Sequence, residues 1–391
     1  MTDQHTAGTR HLADDADLYA YTDTLFGHLP RADQRRWAQV YLKGLLTTPG
    51  KKSVRRLAAT VSTSPTASQS LQQFINASPW DWRPARTELA RLTEQHTPIH
   101  AWTIGTAVLP KRGAHSCGVH RRFDPTAGRT VNCQVGLGIF LATPTAHIPV
   151  DWRLLLPDPW DQDPTLRQRT KIPTTARHRP LWAHTLDLVT TLTHHTTHTP
   201  PPLIADLTNH PDTTTPLTHA LTRHNHDFIL AIPPTTPIQP THHRPPTNYR
   251  HTPPTHHTQT AHHHLTHTHH TTTHHHPQKT ISTLIHLPTH PTQPHHPTHH
   301  RTYRLFTQTR PPHHPPAPIY LTNLTHTPID HLTTLTHHTT HTQHTLNTLQ
   351  HHYGLTDFEG RSYPGWHHHM TLVSAAYTYH HLTPTPTPQP A

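Results

Sequence analysis

Residues 201–232 read PPLIADLTNHPDTTTPLTHALTRHNHDFILAI, and this stretch decides the fold class. Leu203-Ile204-Ala205 is a short apolar run closed by Asp206, Leu217 to His224 reads as a helix, and Phe228 to Ile232 is a second apolar run. Strand, helix, strand is the unit of an α/β domain, in which helices cover a largely parallel sheet. Upstream, Trp102 to Leu109 and Gln134 to Ala142 are two more apolar stretches of the kind buried in a sheet. Between them lies a basic turn, Lys111-Arg112-Gly113.

Working outward, residues 17–95 change period. Leu25 and Leu29, then Trp37, Val40, Tyr41 and Leu45, recur at three- and four-residue spacing, while Arg31, Arg35, Arg36, Lys43, Lys51, Lys52, Arg55 and Arg56 take other faces. Ser78-Pro79-Trp80 stops one helix and allows another to start. The expectation is a basic, all-helical module. In the other direction, residues 235–302 degrade into Thr, His and Pro, including the tract His262 to His276, with too little apolar surface to offset the entropy of ordering. They are expected to form an irregular insertion between a first part of the α/β domain at 96–234 and a C-terminal part at 303–382. In that last part Tyr303 to Thr307 and Ile319 to Leu321 read as strands and Ile329 to His352 as helical, and the tail 383–391 is expected to be disordered.

Composition agrees with a chain that is only partly ordinary. Of 391 residues 31% are apolar, with 52 His, 44 Pro and 13 Gly, below the apolar share of a typical globular domain. The net charge of +10 suits a phosphate-backbone binder, the alternative being a basic solubility bias. Before residue 191 lie 23 of the 31 Lys and Arg against 15 of the 21 acids, so the positive surplus belongs mainly to the more orderly half. Cys117 and Cys133 give neither a disulfide framework nor zinc-ligand spacing, and no run of about 18 apolar residues or signal-peptide segment is present. The expectation is a cytoplasmic protein that does not enter the membrane.

Several segments in order carry a family resemblance. Gln34-Arg35-Arg36-Trp37 through Leu45-Leu46, Lys51-Lys52-Ser53-Val54, Leu71-Gln72-Gln73-Phe74 and Ser78-Pro79-Trp80-Asp81 resemble the N-terminal region of transposases of the insertion-sequence 701 family, within the DDE superfamily. Leu109-Pro110-Lys111-Arg112-Gly113 through Val119, with Asn132-Cys133-Gln134-Val135-Gly136, resembles its first catalytic strand and turn, and Asp151-Trp152-Arg153-Leu154 through Pro157 the segment that follows. Leu203-Ile204-Ala205-Asp206 resembles the second carboxylate block, and Gly354 to Ser362 with Gly365-Trp366-His367-His368-His369 the C-terminal signature.

The resemblance implies a ribonuclease-H-like catalytic domain, DNA at element ends as partner, and three carboxylates that hold two Mg²⁺ ions; a homodimer is compatible with it. Mg²⁺ takes hard oxygen ligands, which Gly, Thr or Gln do not replace. Carried onto this chain, the first acid falls on Gly105, and no other acid lies between Glu94 and Asp124. The second falls on Asp206, which residues alone would also allow as a turn or helix-cap Asp. The third falls on Gln343. Two of the three acids are thus absent, and tight Mg²⁺ binding is not expected. His, Thr and Pro can be encoded from A and C alone, whereas Asp and Glu need a first-position G. Depletion of G in the coding strand would account for the losses and the composition together, and ordinary G content in the codons after residue 190 would remove that explanation.

The leading expectation is therefore a transposase-derived, DNA-binding protein that has lost strand cleavage, with DNA contacted by Arg35, Arg36, Lys43, Lys51, Lys52, Arg55 and Arg56 and by Lys111 and Arg112. The alternatives are an active enzyme drawing substitute carboxylates from Asp124 or Glu359, and a metal- or pH-responsive binding protein built on the His tract. The segment from Gly354 to His369 is expected to dock near Asp206 with Phe358 and Trp366 in the core and Glu359 paired to Arg361.

Overall fold

A computed structural model describes residues 15–124, 128–241, 258–267, 271–275, 278–288, 301–309 and 316–382. The chain begins with helices Asp15–Phe26 (α1), Ala32–Thr47 (α2), Val54–Val61 (α3), Ala67–Asn76 (α4) and Arg83–His96 (α5). Strands Ala101–Pro110 (β1), His120–Asp124 (β2), Arg129–Ala142 (β3) and His147–Leu154 (β4) follow, then helices Asp158–Gln162 (α6), Pro164–Thr170 (α7) and Leu181–His195 (α8). Next come Leu203–Asp206 (β5), Pro211–Arg223 (α9) and Phe228–Ile232 (β6), the strand, helix and second strand expected of residues 201–232.

These strands form one mixed sheet. β4, β3 and β1 pair antiparallel in that order, and β1, β5 and β6 pair parallel, so the core reads β4-β3-β1-β5-β6. That mixed α/β arrangement is consistent with a ribonuclease-H-like nuclease fold. Beyond β6 the sheet continues through Ile319–Thr322 (β12), Tyr303–Gln308 (β11) and Gln278–His286 (β10) to Pro237–Pro240 (β7) and Gln259–Thr260 (β8), with Thr271–His275 (β9) also on β10. Helix Ala261–His267 (α10) lies in this region, and helices Ile329–Thr336 (α11), His338–His352 (α12) and Tyr363–Leu382 (α13) complete the chain.

The expected irregular insertion is thus partly ordered, and the reason is templating. β10 pairs with β11 from Thr280↔Gln308 to Ile285↔Tyr303, so its backbone groups are satisfied by an existing strand whatever its side chains. Its Thr and Ile residues are β-branched and suit a pleated strand, and Ile285 with Leu287 reaches the core. Of the His tract, His262 to His267 lies in α10 and Thr271 to His275 in β9, and the rest falls outside the described residues, as do the tail 383–391 and residues 1–14. The helical stretch expected from Ile329 to His352 is interrupted at His337, between α11 and α12.

The hydrophobic core runs through the boundary expected near residue 95. α13 inserts between the N-terminal helices and the sheet: Tyr21 Oη donates to the Ala375 carbonyl at 2.9 Å, and Tyr41 Oη lies 3.0 Å from His369 Nδ1. Its residues Trp366 to Tyr379 are buried on every side, which fixes the N-terminal helices against the sheet. Trp366 and Phe358 are core residues, as expected.

Candidate functional site

Strand pairing sets the level of each candidate residue. β1 and β5 are parallel neighbours with Trp102↔Leu203 and Thr103↔Ile204, a register that brings Gly105 level with Asp206, with strands about 4.8 Å apart. In-register parallel residues share a face of the sheet, so Thr103, Gly105, Ile204 and Asp206 point the same way. That face is covered by α12: Thr342 Oγ1 donates to Thr103 Oγ1 at 2.6 Å. Two positions remote in sequence, 105 and 206, therefore meet under a third element.

At Gly105 the space for a side chain is already taken. A Cβ added there would lie 2.9 Å from Thr342 Cγ2, 3.0 Å from Leu346 Cδ1 and 3.1 Å from Phe140 Cε2. Thr342 is held in place, since its Oγ1 also lies 2.9 Å from the His338 carbonyl and 2.9 Å from His147 Nδ1. The residues of α12 that meet β1 are thus Thr342 and Leu346. Gln343 is exposed, one position round the helix, and its Nε2 is 3.4 Å from Asn347 Oδ1. Asp206 is exposed at the end of β5, where Oδ1 accepts from Thr208 N at 2.9 Å and Thr208 Oγ1 at 2.6 Å. It is the one carboxylate among the residues of β1, β5 and α12, so no slip of register within those elements supplies another.

The segment after α12 lies on the N-terminal helices and the end of β1. Lys52 N donates to Asp357 Oδ2 at 2.7 Å, Lys111 Nζ to the Phe358 carbonyl at 2.5 Å, and Ser362 Oγ to the Asn76 carbonyl at 3.2 Å. Glu359 is paired with Lys51 at 3.2 Å, not with Arg361, because the chain presents it to the α2–α3 junction. Asp124 ends β2, and its side chain lies outside the described residues.

The candidate DNA-contacting residues divide. Arg36, Lys51, Arg55, Arg56 and Arg112 are exposed. Lys52 is buried at 4% exposure with its Nζ on the Thr48 carbonyl, so it is a structural residue and not a surface cation. Lys111 is half-buried, and burial pushes its ammonium down to about 8 against the pull of Asp357 and Glu359. Lys43 is paired with Asp15 at 2.7 Å, and Arg35 donates to the Leu29 carbonyl at 2.5 Å. A helical period identifies which cations share a face, but not which of them the rest of the chain will cover.

Sequence reasoning passed over two features. One is a buried network: Arg86 donates to Asp151 Oδ1 at 2.7 Å, to the Trp152 carbonyl at 2.8 Å and to the His367 carbonyl at 2.9 Å, and Arg153 donates to Asp151 Oδ2 at 2.6 Å. Burial pushes the Asp151 carboxyl up, but Arg153 and Arg86 outweigh it and hold the group below its usual range. A cavity of about 790 Å³ borders this network and includes neither Gly105 nor Asp206. The other feature is the β2–β3 hairpin, with Arg121, Arg122 and Arg129 around the exposed Phe123. The signal was there as an Arg-Arg-Phe run just before Pro125 and Gly128 in the sequence. Burial lowers the His210 imidazole, Arg122 lowers it further and Asp206 opposes, so hairpin and β5 terminus both act on one ring.

Among the described residues no group of three or more His, Cys, Asp or Glu is arranged to hold a metal ion, and no helix is long and apolar enough to cross a membrane. Residues 24–289 match the family model described as DDE superfamily endonuclease. No curated protein matches the chain.

Proposed function

Because the chain belongs to the DDE superfamily endonuclease family, in which divalent metals such as Mg²⁺ are usual, we propose that it is a DNA-binding protein of insertion-sequence 701 transposase ancestry that no longer cleaves DNA. The observation that carries this reading is the closed position at Gly105: level with Asp206, where a second carboxylate would have to stand, the volume is filled by Thr342 and Leu346. Two divalent ions need several anionic oxygens to balance their charge. The local donor set is one carboxylate, already accepting from Thr208, with Thr and Leu opposite, and it does not fit them. Glu359 is engaged by Lys51, which argues against its service as a substitute. DNA binding is supported by the surplus of Lys and Arg and by the exposed Arg36, Arg55, Arg56 and Arg112.

The test pairs binding with cleavage on duplexes taken from the DNA on either side of the gene. The full chain is expected to retain these duplexes with steep salt dependence and to leave them uncut in Mg²⁺ or Mn²⁺. Metal-dependent nicking that disappears in Asp206→Ala overturns the loss of cleavage, and failure to bind any DNA overturns the remainder.

A further inference from the structure

Strand β3 outruns β1. Cys133 to Ala142 pair with β1, whereas Arg129 to Asn132 pair with β2 alone. The hairpin therefore projects past the C-terminal end of β1, and since β5 runs parallel to β1 this is also the end at which Asp206 stands. Its base is fixed, because Asn132 Nδ2 donates to the Lys111 and Gly113 carbonyls, both at 3.0 Å. Gly128, at φ +62°, begins the return strand in a conformation that L side chains rarely adopt.

Register assigns the faces. Arg121↔Asn132 and Phe123↔Thr130 are cross-strand pairs, so these four side chains share one face. Along β3 the same face continues through Gln134, opposite Leu109, and thus along β1 through Ala107 to Gly105. Phe123 is 59% exposed. A lone exposed Phe needs no explanation, but this one stands on a fixed hairpin, with Arg121 on its own face and Arg122 and Arg129 on the other, and its face is continuous with the one that carries Gly105. Cations with an interleaved aromatic form a surface for a nucleic-acid strand: guanidinium groups meet phosphates, and the ring offers a stacking platform to any unpaired base.

We propose that the β2–β3 hairpin grips an unpaired DNA strand beyond the end of β1, with Phe123 stacked on a base and Arg121, on the same face, on a flanking phosphate. The proposal rests on the DNA-binding reading above and adds to it a ligand class, DNA with unpaired bases, that the helical cations do not select.

Fluorescence anisotropy of the full chain with two labelled probes tests it: a blunt duplex, and the same duplex with a short single-stranded extension. The wild-type protein is expected to prefer the extended probe. Phe123→Ala should remove that preference, weakening the extended probe roughly 5- to 150-fold, the span seen when a base-stacking aromatic is truncated, with little change on the blunt duplex. Phe123→Trp should keep the preference. Arg121→Ala should weaken both probes and flatten the salt dependence by about 0.7 to 0.9 for the lost phosphate contact. Because Phe123 is exposed, its variants should unfold as the wild type does. Duplex binding with no preference for the extension, or a preference that survives Phe123→Ala, overturns the hairpin proposal alone. Absence of binding to either probe overturns it together with the DNA-binding reading.

Discussion

Adding one methyl group at position 105 tests the closed site directly. In Gly105→Ala the new Cβ would sit 2.9 to 3.1 Å from Thr342 Cγ2, Leu346 Cδ1 and Phe140 Cε2, against about 3.5 to 4.0 Å for relaxed carbon contacts. Each neighbour must therefore retreat by roughly half an ångström or more. Thr342 is least able to, because swinging its β-branched side chain gives up the 2.6 Å bond to Thr103 and the contacts with His338 and His147. Overpacking of this kind costs about 1 to 3 kcal/mol, and removing a strand glycine returns about 0.5 to 1 kcal/mol, which leaves a net destabilisation of up to about 2.5 kcal/mol. Urea unfolding at neutral pH should show a lower midpoint with an unchanged slope. Thr342→Ser deletes the methyl group in the way, so in the double variant the two changes should couple favourably by about 0.5 kcal/mol or more. Gly105→Asp should be less stable than Gly105→Asn, because the carboxylate alone brings a charge into a buried site on the strand beside Asp206. A Gly105→Ala protein as stable as the wild type, with no coupling to Thr342→Ser, means that α12 does not lie on β1 at this point, and the argument from the closed position falls with it.

Three further outcomes are expected. Arg86→Ala takes from the largely buried Asp151 carboxylate one of its two guanidinium partners and should destabilise by about 3 to 5 kcal/mol in urea unfolding; a loss under about 1 kcal/mol would show that Arg153 alone suffices. Burial lowers the buried His147 to about 3, and His368 and His369 to about 4, from the ordinary 6.5. The unfolded chain thus takes up protons that the fold refuses, and stability should fall as pH drops from 6.5 toward 4, by up to about 1.4 kcal/mol per pH unit for each ring; a urea midpoint that stays flat across that window contradicts the neutral assignment. Lys52→Ala should lower the unfolding midpoint and leave DNA affinity unchanged, whereas Arg55→Ala with Arg56→Ala should do the reverse, and anisotropy beside thermal melts separates the two.

What the sequence makes legible is set by where apolar residues are concentrated. β5, α9 and β6 stand out because Leu203-Ile204-Ala205 and Phe228 to Ile232 are unbroken apolar runs, and β1 and β3 stand out for the same reason. β4 does not, because Pro149 and the charges of Asp151 and Arg153 interrupt it. Pro149 is tolerated next to a register shift at Ile139/Phe140, and Asp151 is paired with both Arg153 and Arg86. α13 hides for a different reason. It is buried on all sides, so it has no polar stripe to reveal its period, and three consecutive histidines in its first half look like surface. At the candidate site, the strand positions 105 and 206 follow from counting residues along the chain. The facing of α12 does not: each residue turns a helix by about 100°, so a count that lands on Gln343 instead of Thr342 moves the side chain from the sheet to solvent. Only packing against β1 resolves that step.

A chain so rich in Thr and His can still build a core, because both residue types bury themselves by bonding to the backbone. Thr22, Thr93, Thr218, Thr222, Thr371 and Thr378 each donate to the carbonyl four residues earlier in their own helix, which satisfies the hydroxyl and leaves the methyl group to pack. His369 is placed with Nε2 3.0 Å from the Gly354 carbonyl and Nδ1 beside the Tyr41 hydroxyl, the arrangement of a neutral ring that donates once and accepts once. His368 faces two carbonyls, Ile75 and Trp80, both at 2.9 Å, and a neutral ring can donate to only one of them. Stacking on the Trp80 indole, with centroids 3.9 Å apart, adds to what holds it there. Packing therefore accepts many substitutes: a position that needs volume and a satisfied hydrogen bond can be met by Thr or His as well as by Val or Leu. A metal-binding position accepts few, since its requirement is negative charge on oxygen, and neither glycine nor threonine supplies that. On the reading proposed here, the same change of composition has left the sheet and its helices standing while it emptied the site they were built to carry, and the Arg-bearing surfaces, which need only positive charge at the right place, are what remains to act on DNA.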